Sequence, residues 1–596
     1  MYKKLLIILS LLSFELTYSQ KLKEEERIKE NSGACYPAVC YAKLDINNIE
    51  AMVMNGGDMF WDLFGSGRNH YYFPKGSQKN MAGPSAIWIG GFDGGGQLKT
   101  AAQTYRQSGY DFWPGPLNDM GSTNDELCAK YNRLWKIDYK EITDLMANYK
   151  AGNLSANTFT PTECILNWPT IDSSIYYTST LDYSKIAPFK DVNTDGVYNL
   201  KDGDYPIIKG DQEIFCVFND RGDIHTETGG QPIGVEVQLT AYAYGCKSTI
   251  SSFPQLANTT FYHYKIINRS AFKLVKTYVA IWSDANIGDN KNDYVGSNVN
   301  AGYGYTYNAT NFDSIYGNIL PAQATVLLKG PLADPYDGID NDGDGTTDET
   351  GEEFLIPNFY YFNTDFWGSG NSIPQMTGPN LSSHYYNYMS GFWKDGSPMT
   401  CGGNAYGGSV PTKNVFPSAY TPIGPCGNNW TEVNAGNTLG DRTYLLSVGP
   451  FTFTPGSEIE FEIAFVTSVD SNSIANPIGS ITKLETDVQK IKSFYNLPIK
   501  PSCIDTNKIA KTILPKKGEI TLGPNPVEQE LIINFQSFYQ NSTNIKIYDV
   551  LGRLLWESNY INQEIAKIDL TNLSKAVYLI EITSGSYKDV KKLFKQ

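Results

Sequence analysis

The sequence predicts a mainly β fold: a multidomain, antiparallel β-sandwich-like body with a few short helices, followed by a small C-terminal β-sandwich. Three observations predict it. Aromatic residues reach 13%, with 41 Tyr beside 54 Gly, a mix that suits exposed strands and many turns better than a helical bundle or a disordered chain. Apolar residues alternate with period two in several stretches; in GVEVQLTAYAYG, Val235, Val237, Leu239, Ala241 and Ala243 share one face. At 596 residues the chain exceeds one ordinary domain, so three or four units are expected.

Residues 1–19 read as a secretory signal peptide: Lys3 and Lys4 precede an apolar run from Leu5 to Phe14, and small residues before Gln20 offer a cleavage site. That run is too short to span a bilayer, and no later stretch approaches the length needed, so no transmembrane segment is expected in the mature chain. Residues 20–34 form a charged arm, and the β-rich body runs from 35 to 497. Within it, Ile87, Trp88 and Ile89 make a strand that GGFDGGG turns back into Leu98–Tyr105. No P-loop lysine or helix-opening GxGxxG accompanies those glycines, so the turn is preferred to a phosphate loop. Tyr131, Arg133, Trp135 and Ile137 alternate as a strand, and a helix carrying Ile142, Leu145 and Met146 follows.

QEIFCVFND and GVEVQLTAYAYG are strands, and TTFYHYKIINRS with LVKTYVAIWSD reads as an antiparallel pair, placing His263 in a strand as a packed or surface side chain. Tyr385, Tyr388, Met389 and Phe392 fall at helical spacing; Ile459, Phe461, Ile463 and Phe465 alternate as a strand; and Ile481, Leu484, Val488, Ile491 and Tyr495 mark an amphipathic helix. Three prolines and several lysines then give a linker, 498–517.

A net charge of −15 leaves no surplus of Lys and Arg for phosphates and excludes nucleic acid as a partner. Nine cysteines in an exported chain imply disulfides, with one left over. Cys35 and Cys40 are close enough for a small loop, Cys216/Cys246 and Cys401/Cys426 are candidate pairs, and Cys503 stands in the linker. Only four histidines exist and none lies in a cysteine-protease signature, so structural disulfides are favoured over a catalytic cysteine.

In the terminal module, 518–596, a Pro-Asn-Pro turn at Pro524–Pro526 opens a strand with Leu531, Ile533 and Phe535. Ile545, Ile547 and Tyr548 make a second strand, turned by Asp549–Gly552 into Leu554–Trp556, and Val577, Leu579 and Glu581 belong to a late strand before a lysine-rich end. By pattern this is a small β-sandwich, and an immunoglobulin-like one is expected. Through PNP, IYDVLGR, LSKAVYLIEI and the final KKLFKQ, it resembles the type A C-terminal sorting domain of the type IX (Por) secretion system of Bacteroidetes-type bacteria. Ala576 stands where that family usually has glycine. The resemblance implies handling by the type IX machinery and its sortase-type peptidase, and a secreted or outer-membrane-surface destination. The body, through WIGGFDGGGQLKTAAQTYR, FKDVNTDGVYNLKDGDYPIIKGDQ and GPLADPYDGIDNDGDG, is similar to a family of large secreted Bacteroidetes proteins, and that likeness brings no activity with it.

Two acidic loops carry the chemistry. In 191–204, Asp191, Asn193 and Asp195 occupy positions one, three and five of a calcium-loop pattern, Gly196 position six, Val197 seven, Asn199 nine and Asp202 twelve. Calcium takes about six to eight hard oxygens from such side chains and from the position-seven carbonyl. The loop resembles a dockerin repeat, but Tyr205-Pro206 blocks the exiting helix, so only the ion loop is carried over. In 337–353, Asp340, Asp342, Asp344, Gly345 and Asp348 resemble the loops of thrombospondin type 3 repeats, where crowded carboxylates repel unless a cation neutralises them. Bracing by structural calcium is the expected role of both. Asp284, Asp289 and Asp293 are spaced more loosely and predict a solvated loop.

Enzyme signatures are missing: no GxSxG elbow, HExxH or P-loop occurs, although 63 acidic residues always leave room for a glycosidase pair. The sequence therefore points to a calcium-stabilised structural or adhesive protein, with a glycan-binding or polysaccharide-degrading protein as the alternative.

Overall fold

The computed structural model describes residues 35–595 apart from 64, 107–108, 171–185, 247–251, 299, 343–344, 349–350, 364–372, 418–425, 427–428, 498–520, 524–526, 528, 535–542, 550–551, 561–564 and 585–586. The signal, the charged arm, the linker with Cys503, the Pro524–Pro526 turn, Phe535 and Asp344 lie outside the described residues. The chain divides into two compact units, Met1–Ile504 and Asp505–Gln596. It is mainly β, 38% strand against 14% helix, as the period-two patterning predicts.

Two antiparallel sheets of nine described strands each build the first unit. The first sheet runs Tyr41–Leu44, Glu50–Met54, Asp58–Met59, Ser85–Phe92, Leu274–Ala285, Arg442–Phe453, Asn358–Asn363, with Tyr71–Tyr72 and Leu98–Ala102 attached. The second runs Asp293–Asn298, Tyr303–Asn308, Ala322–Lys329, Glu458–Ser468, Thr259–Asn268, Val235–Ala243, Gln212–Asn219, Trp113–Pro114, with Trp135–Asp138 beside Gln212–Asn219. Alternation decides which residues meet between them. Val235, Val237, Leu239, Ala241 and Ala243 are all fully buried in the shared core, with Ile87 and Ile89 from the facing sheet. Burying one Val or Leu side chain is worth about 1.5–3 kcal/mol. Phe60 packs edge-on against Phe465 at 5.0 Å, and Thr325 and Tyr444 share a hydrogen bond of 2.6 Å across the layers.

The expected hairpin of TTFYHYKIINRS with LVKTYVAIWSD does not form. Thr259–Asn268 lies in the second sheet between Val235–Ala243 and Glu458–Ser468, whereas Leu274–Ala285 lies in the first between Ser85–Phe92 and Arg442–Phe453. Asn268 holds the crossing: its side-chain N–H donates to the Phe272 and Phe453 carbonyls at 3.2 and 3.1 Å. Tyr131 is also not in a strand. It closes the helix Asp125–Tyr131, whose N-cap Asn124 accepts from the Leu127 N–H, and the strand begins at Trp135.

Helices cover the outer faces. Ser382–Ser390 lies on the first sheet with Tyr385 edge-on to Trp88 at 4.7 Å. Pro477–Tyr495 buries Leu484, Val488, Ile491 and Phe494 against the second sheet, as its apolar stripe predicts. Tyr139–Lys150 buries Ile142 and Leu145 farther along the same sheet.

The disulfides correct two expected pairings. Cys401–Cys426 forms, but Cys35 bonds Cys128 and not Cys40, whose thiol faces the Asn132 carbonyl at 2.9 Å. Cys246 is disulfide-bonded while Cys216 is a free thiol, fully buried in the sandwich core.

Among the described residues the second unit has seven strands in two sheets, Thr521–Gly523, Glu530–Asn534, Ile565–Asp569 and Leu554–Tyr560, Thr543–Asp549, Ala576–Ser584, Tyr587–Lys595. Leu531, Ile533, Ile545, Ile547, Ile580 and Ile582 make its core. The lysine-rich end is itself a strand, paired with Ala576–Ser584 from Ala576↔Lys595 to Ser584↔Tyr587.

Candidate metal centres and a tyrosine-lined cavity

The loop 191–204 is clamped by a short ribbon in which Tyr205 and Pro206 pair with Lys190 and Phe189. Inside it the side chains turn back on the chain. Asp191 accepts the Thr194 and Gly196 N–H groups at 2.6 and 2.8 Å, Asn193 accepts from Asp195 N–H at 3.1 Å, and Asp195 accepts from Val197 N–H at 2.7 Å. Gly196 has φ 80°, a region that suits a residue without Cβ. Asn199 caps the short turn Leu200–Asp202 and donates to the Asp202 carboxylate at 2.6 Å.

The residue that ties the loop together is one the pattern does not contain. Asp204, 1% exposed, accepts from Val192 N–H at one oxygen and from Asn199 N–H at the other, both at 2.8 Å.

The loop 337–353 repeats the central bond: Asp340 accepts from Gly345 N–H at 3.1 Å, again five residues on, and Gly345 has φ 98°. Asp340, Asp342 and Glu352 each bring a carboxylate oxygen within 4.8 Å of the others, a spacing one hard cation can bridge. Glu352 is buried, and its carboxylate also accepts the Asn341 N–H. It was not among the sequence candidates, because it follows the aspartate pattern. Asp348 accepts from Gly338 N–H at 2.9 Å and so pins the mouth of the loop.

The third acidic stretch departs from expectation. Asp284 and Asp293 are 5% and 0% exposed, not solvated, because both belong to strands whose side chains at those positions are buried.

On the outer face of the second sheet, Glu462 gathers Tyr242 Oη at 2.5 Å, His263 Nδ1 at 2.8 Å, Tyr495 Oη at 2.9 Å and Lys209 Nζ at 3.1 Å. Burial alone would push this carboxyl up; the His263 hydrogen bond and the Lys209 ammonium outweigh it and hold the group well below the usual carboxylate range. With its acceptor sites filled, Glu462 braces the sheet and is a poor general base. Burial likewise pushes the Cys216 thiol far up, which removes it as a nucleophile.

Tyr303, Tyr305 and Tyr307 stand at every second position of one strand, and so on one face. With Thr431, Asn434 and Glu485 they line a cavity of about 230 Å³ beside the helix Pro477–Tyr495. Aromatic faces with a few polar groups at the rim suit a ring-shaped polar ligand.

Residues 522–596 match the family described as the secretion system C-terminal sorting domain. Comparison with curated proteins gives no match. Among solved structures, a polysaccharide lyase is similar at 7% identity and a TM-score of 0.17, over 60% of this chain and 34% of that one. The chain thus spans about a third of that lyase. No helix among the described residues is long and apolar enough to cross a membrane.

Proposed function

The chain ends in a type IX secretion sorting domain, which directs it to the extracellular space or the outer-membrane surface, and on that premise we propose that the body is a calcium-braced β-sandwich protein with a structural or adhesive role there. The observation that supports calcium is the repeated aspartate-to-glycine bond, Asp191 to Gly196 and Asp340 to Gly345. In both loops it curls the backbone back toward the first aspartate, and in the second loop Asp340, Asp342 and Glu352 bring their carboxylates together. Extracellular calcium near millimolar would keep sites of roughly 10⁻⁴ M affinity filled. The test is limited proteolysis of the full chain with calcium or with EGTA. Protection of 190–205 and 337–353 by calcium is expected, and identical cleavage in both conditions would remove calcium from the reading.

A second reading, glycan binding, is favoured by the cavity at Tyr303, Tyr305 and Tyr307. Stacking of a sugar ring on these faces would make it a surface ligand site. A glycan array with the wild type and Tyr305→Ala checks it: selective binding lost in the variant supports the reading, and an array without signal ends it.

A further inference from the structure

Asp284 and Asp293 are buried with unmet carboxylate oxygens. Asp284 accepts the Tyr105 hydroxyl at 3.0 Å through Oδ2, and its buried Oδ1 meets no donor. Asp293 accepts the Ile287 N–H at 3.0 Å through Oδ2, and its Oδ1 also meets none. Asp441 lies beside both. It follows Gly440, which bridges Asp293, and its carboxyl is within hydrogen-bonding reach of that of Asp284. Its Oδ2 accepts the Asn290 amide at 3.2 Å. Asp313, nearby, is satisfied differently, by the backbone N–H groups of Asp289, Ile315 and Tyr316.

A second, independent observation comes from a neutral residue. Asn308 is 0% exposed and is the direct cross-strand partner of Asp293, so the two side chains stand together on one face. Neither its Oδ1 nor its Nδ2 has a partner. Buried amides are almost always hydrogen-bonded, and one with both ends unmet marks a place where something else binds.

Burial pushes the Asp284 and Asp293 carboxyls up, and the Asp441 carboxylate pushes both further. A proton shared by Asp284 and Asp441 would relieve that pair, but would leave Asp293 Oδ1 and Asn308 unmet. A cation seated among them would meet the carboxylate oxygens and the Asn308 Oδ1. We propose that Asp284, Asp293 and Asp441, with the Asn308 side-chain oxygen, form a buried site for one hard divalent cation, calcium. The donor set is all oxygen, which excludes soft-metal preferences, and it is gathered from separate strands and a loop, which suits calcium's adaptable cage better than magnesium's strict octahedron. This site is independent of the two surface loops.

The experiment counts metal in the full chain by plasma mass spectrometry after dialysis against EGTA and then metal-free buffer. A doubly substituted Asp195→Asn, Asp342→Asn protein disables the surface loops. It is expected to keep about one calcium per chain, because a buried ion exchanges slowly, and Asp293→Asn in that background is expected to lower the retained calcium about tenfold or more. A loop-disabled protein that folds and carries no divalent metal, even after refolding in calcium, overturns the proposal. So does the same retained equivalent after Asp293→Asn. If Asp293→Asn fails to fold, the metal count of the loop-disabled protein alone decides.

Discussion

Gly345 donates its backbone N–H to Asp340 Oδ2 at 3.1 Å, across five residues, and the glycine takes φ 98° to do so. The bond recurs between Gly196 and Asp191, in a loop held by different neighbours. The two loops share this geometry because they share the aspartate spacing and the glycine at the sixth position, and it is the arrangement that the proposed calcium sites need.

Calcium is therefore expected to stabilise the chain at each loop by RT ln(1 + [Ca]/Kd), about 1.4 kcal/mol for millimolar ion against a site of roughly 10⁻⁴ M. Calorimetry with and without EGTA checks it through a shift of a few degrees. Gly196→Ala should cost about 1 kcal/mol from the positive φ alone, in EGTA as well as in calcium.

Asp204→Ala removes a buried acceptor of two N–H groups and should cost about 2–3 kcal/mol. The loss should appear in urea unfolding as a lower midpoint, together with faster cleavage at 190–205. Asp202→Ala, whose carboxylate accepts from the exposed Asn199 amide, is expected to do much less.

Glu213 supplies a pH signature. Burial pushes its carboxyl up to about 8, while the Lys209 N–H and ammonium act the other way. A raised acid binds its proton more tightly when folded, so stability falls as pH rises from the unfolded value near 4.5 through about 8. Glu213→Gln should flatten that slope and stabilise the protein at pH 8 by roughly a few kcal/mol, read from urea midpoints at pH 5 and 8. Glu462 has the opposite sign: its depressed carboxyl stabilises above the unfolded value and loses that contribution only in strong acid.

The Cys35–Cys128 disulfide closes a separation of 93 residues, which in the chain-entropy model contributes about 4–5 kcal/mol. Cys128→Ser should lower the thermal midpoint far more than Cys164→Ser, since Cys164 is a free thiol.

Deleting residues 518–596 is expected to leave the body in the periplasm, because the sorting domain carries the outer-membrane export step. Fractionation of cells expressing the truncated chain checks it, and normal secretion without the domain would refute the assignment.

Much of this was legible. Period two placed Val235 through Ala243 on the core face because half-buried strands leave no other arrangement. It could not say which sheet a strand joins, so Thr259–Asn268 and Leu274–Ala285 looked like partners although each already has two others. The loops were legible in their first six positions, where backbone geometry imposes the spacing. Asp204 and Glu352 were not, since a closing residue is set by how the chain returns. Asp293, Asn308 and Asp441 come together only through strand pairing, and no local pattern reports that.

The strands Arg442–Phe453 and Glu458–Ser468 are joined by the short Thr454–Ser457 turn, yet one enters the interior of the first sheet and the other the interior of the second. Until they arrive, Leu274–Ala285 and Thr259–Asn268 each lack a neighbour, and both layers are open on that side. The ladders they complete join residues far apart in the chain, about two hundred positions between Thr259 and Val466, and such long closures make for slow folding. The sandwich can therefore close only after synthesis has passed Ser468, which gives the chain a long interval as an unfolded polymer.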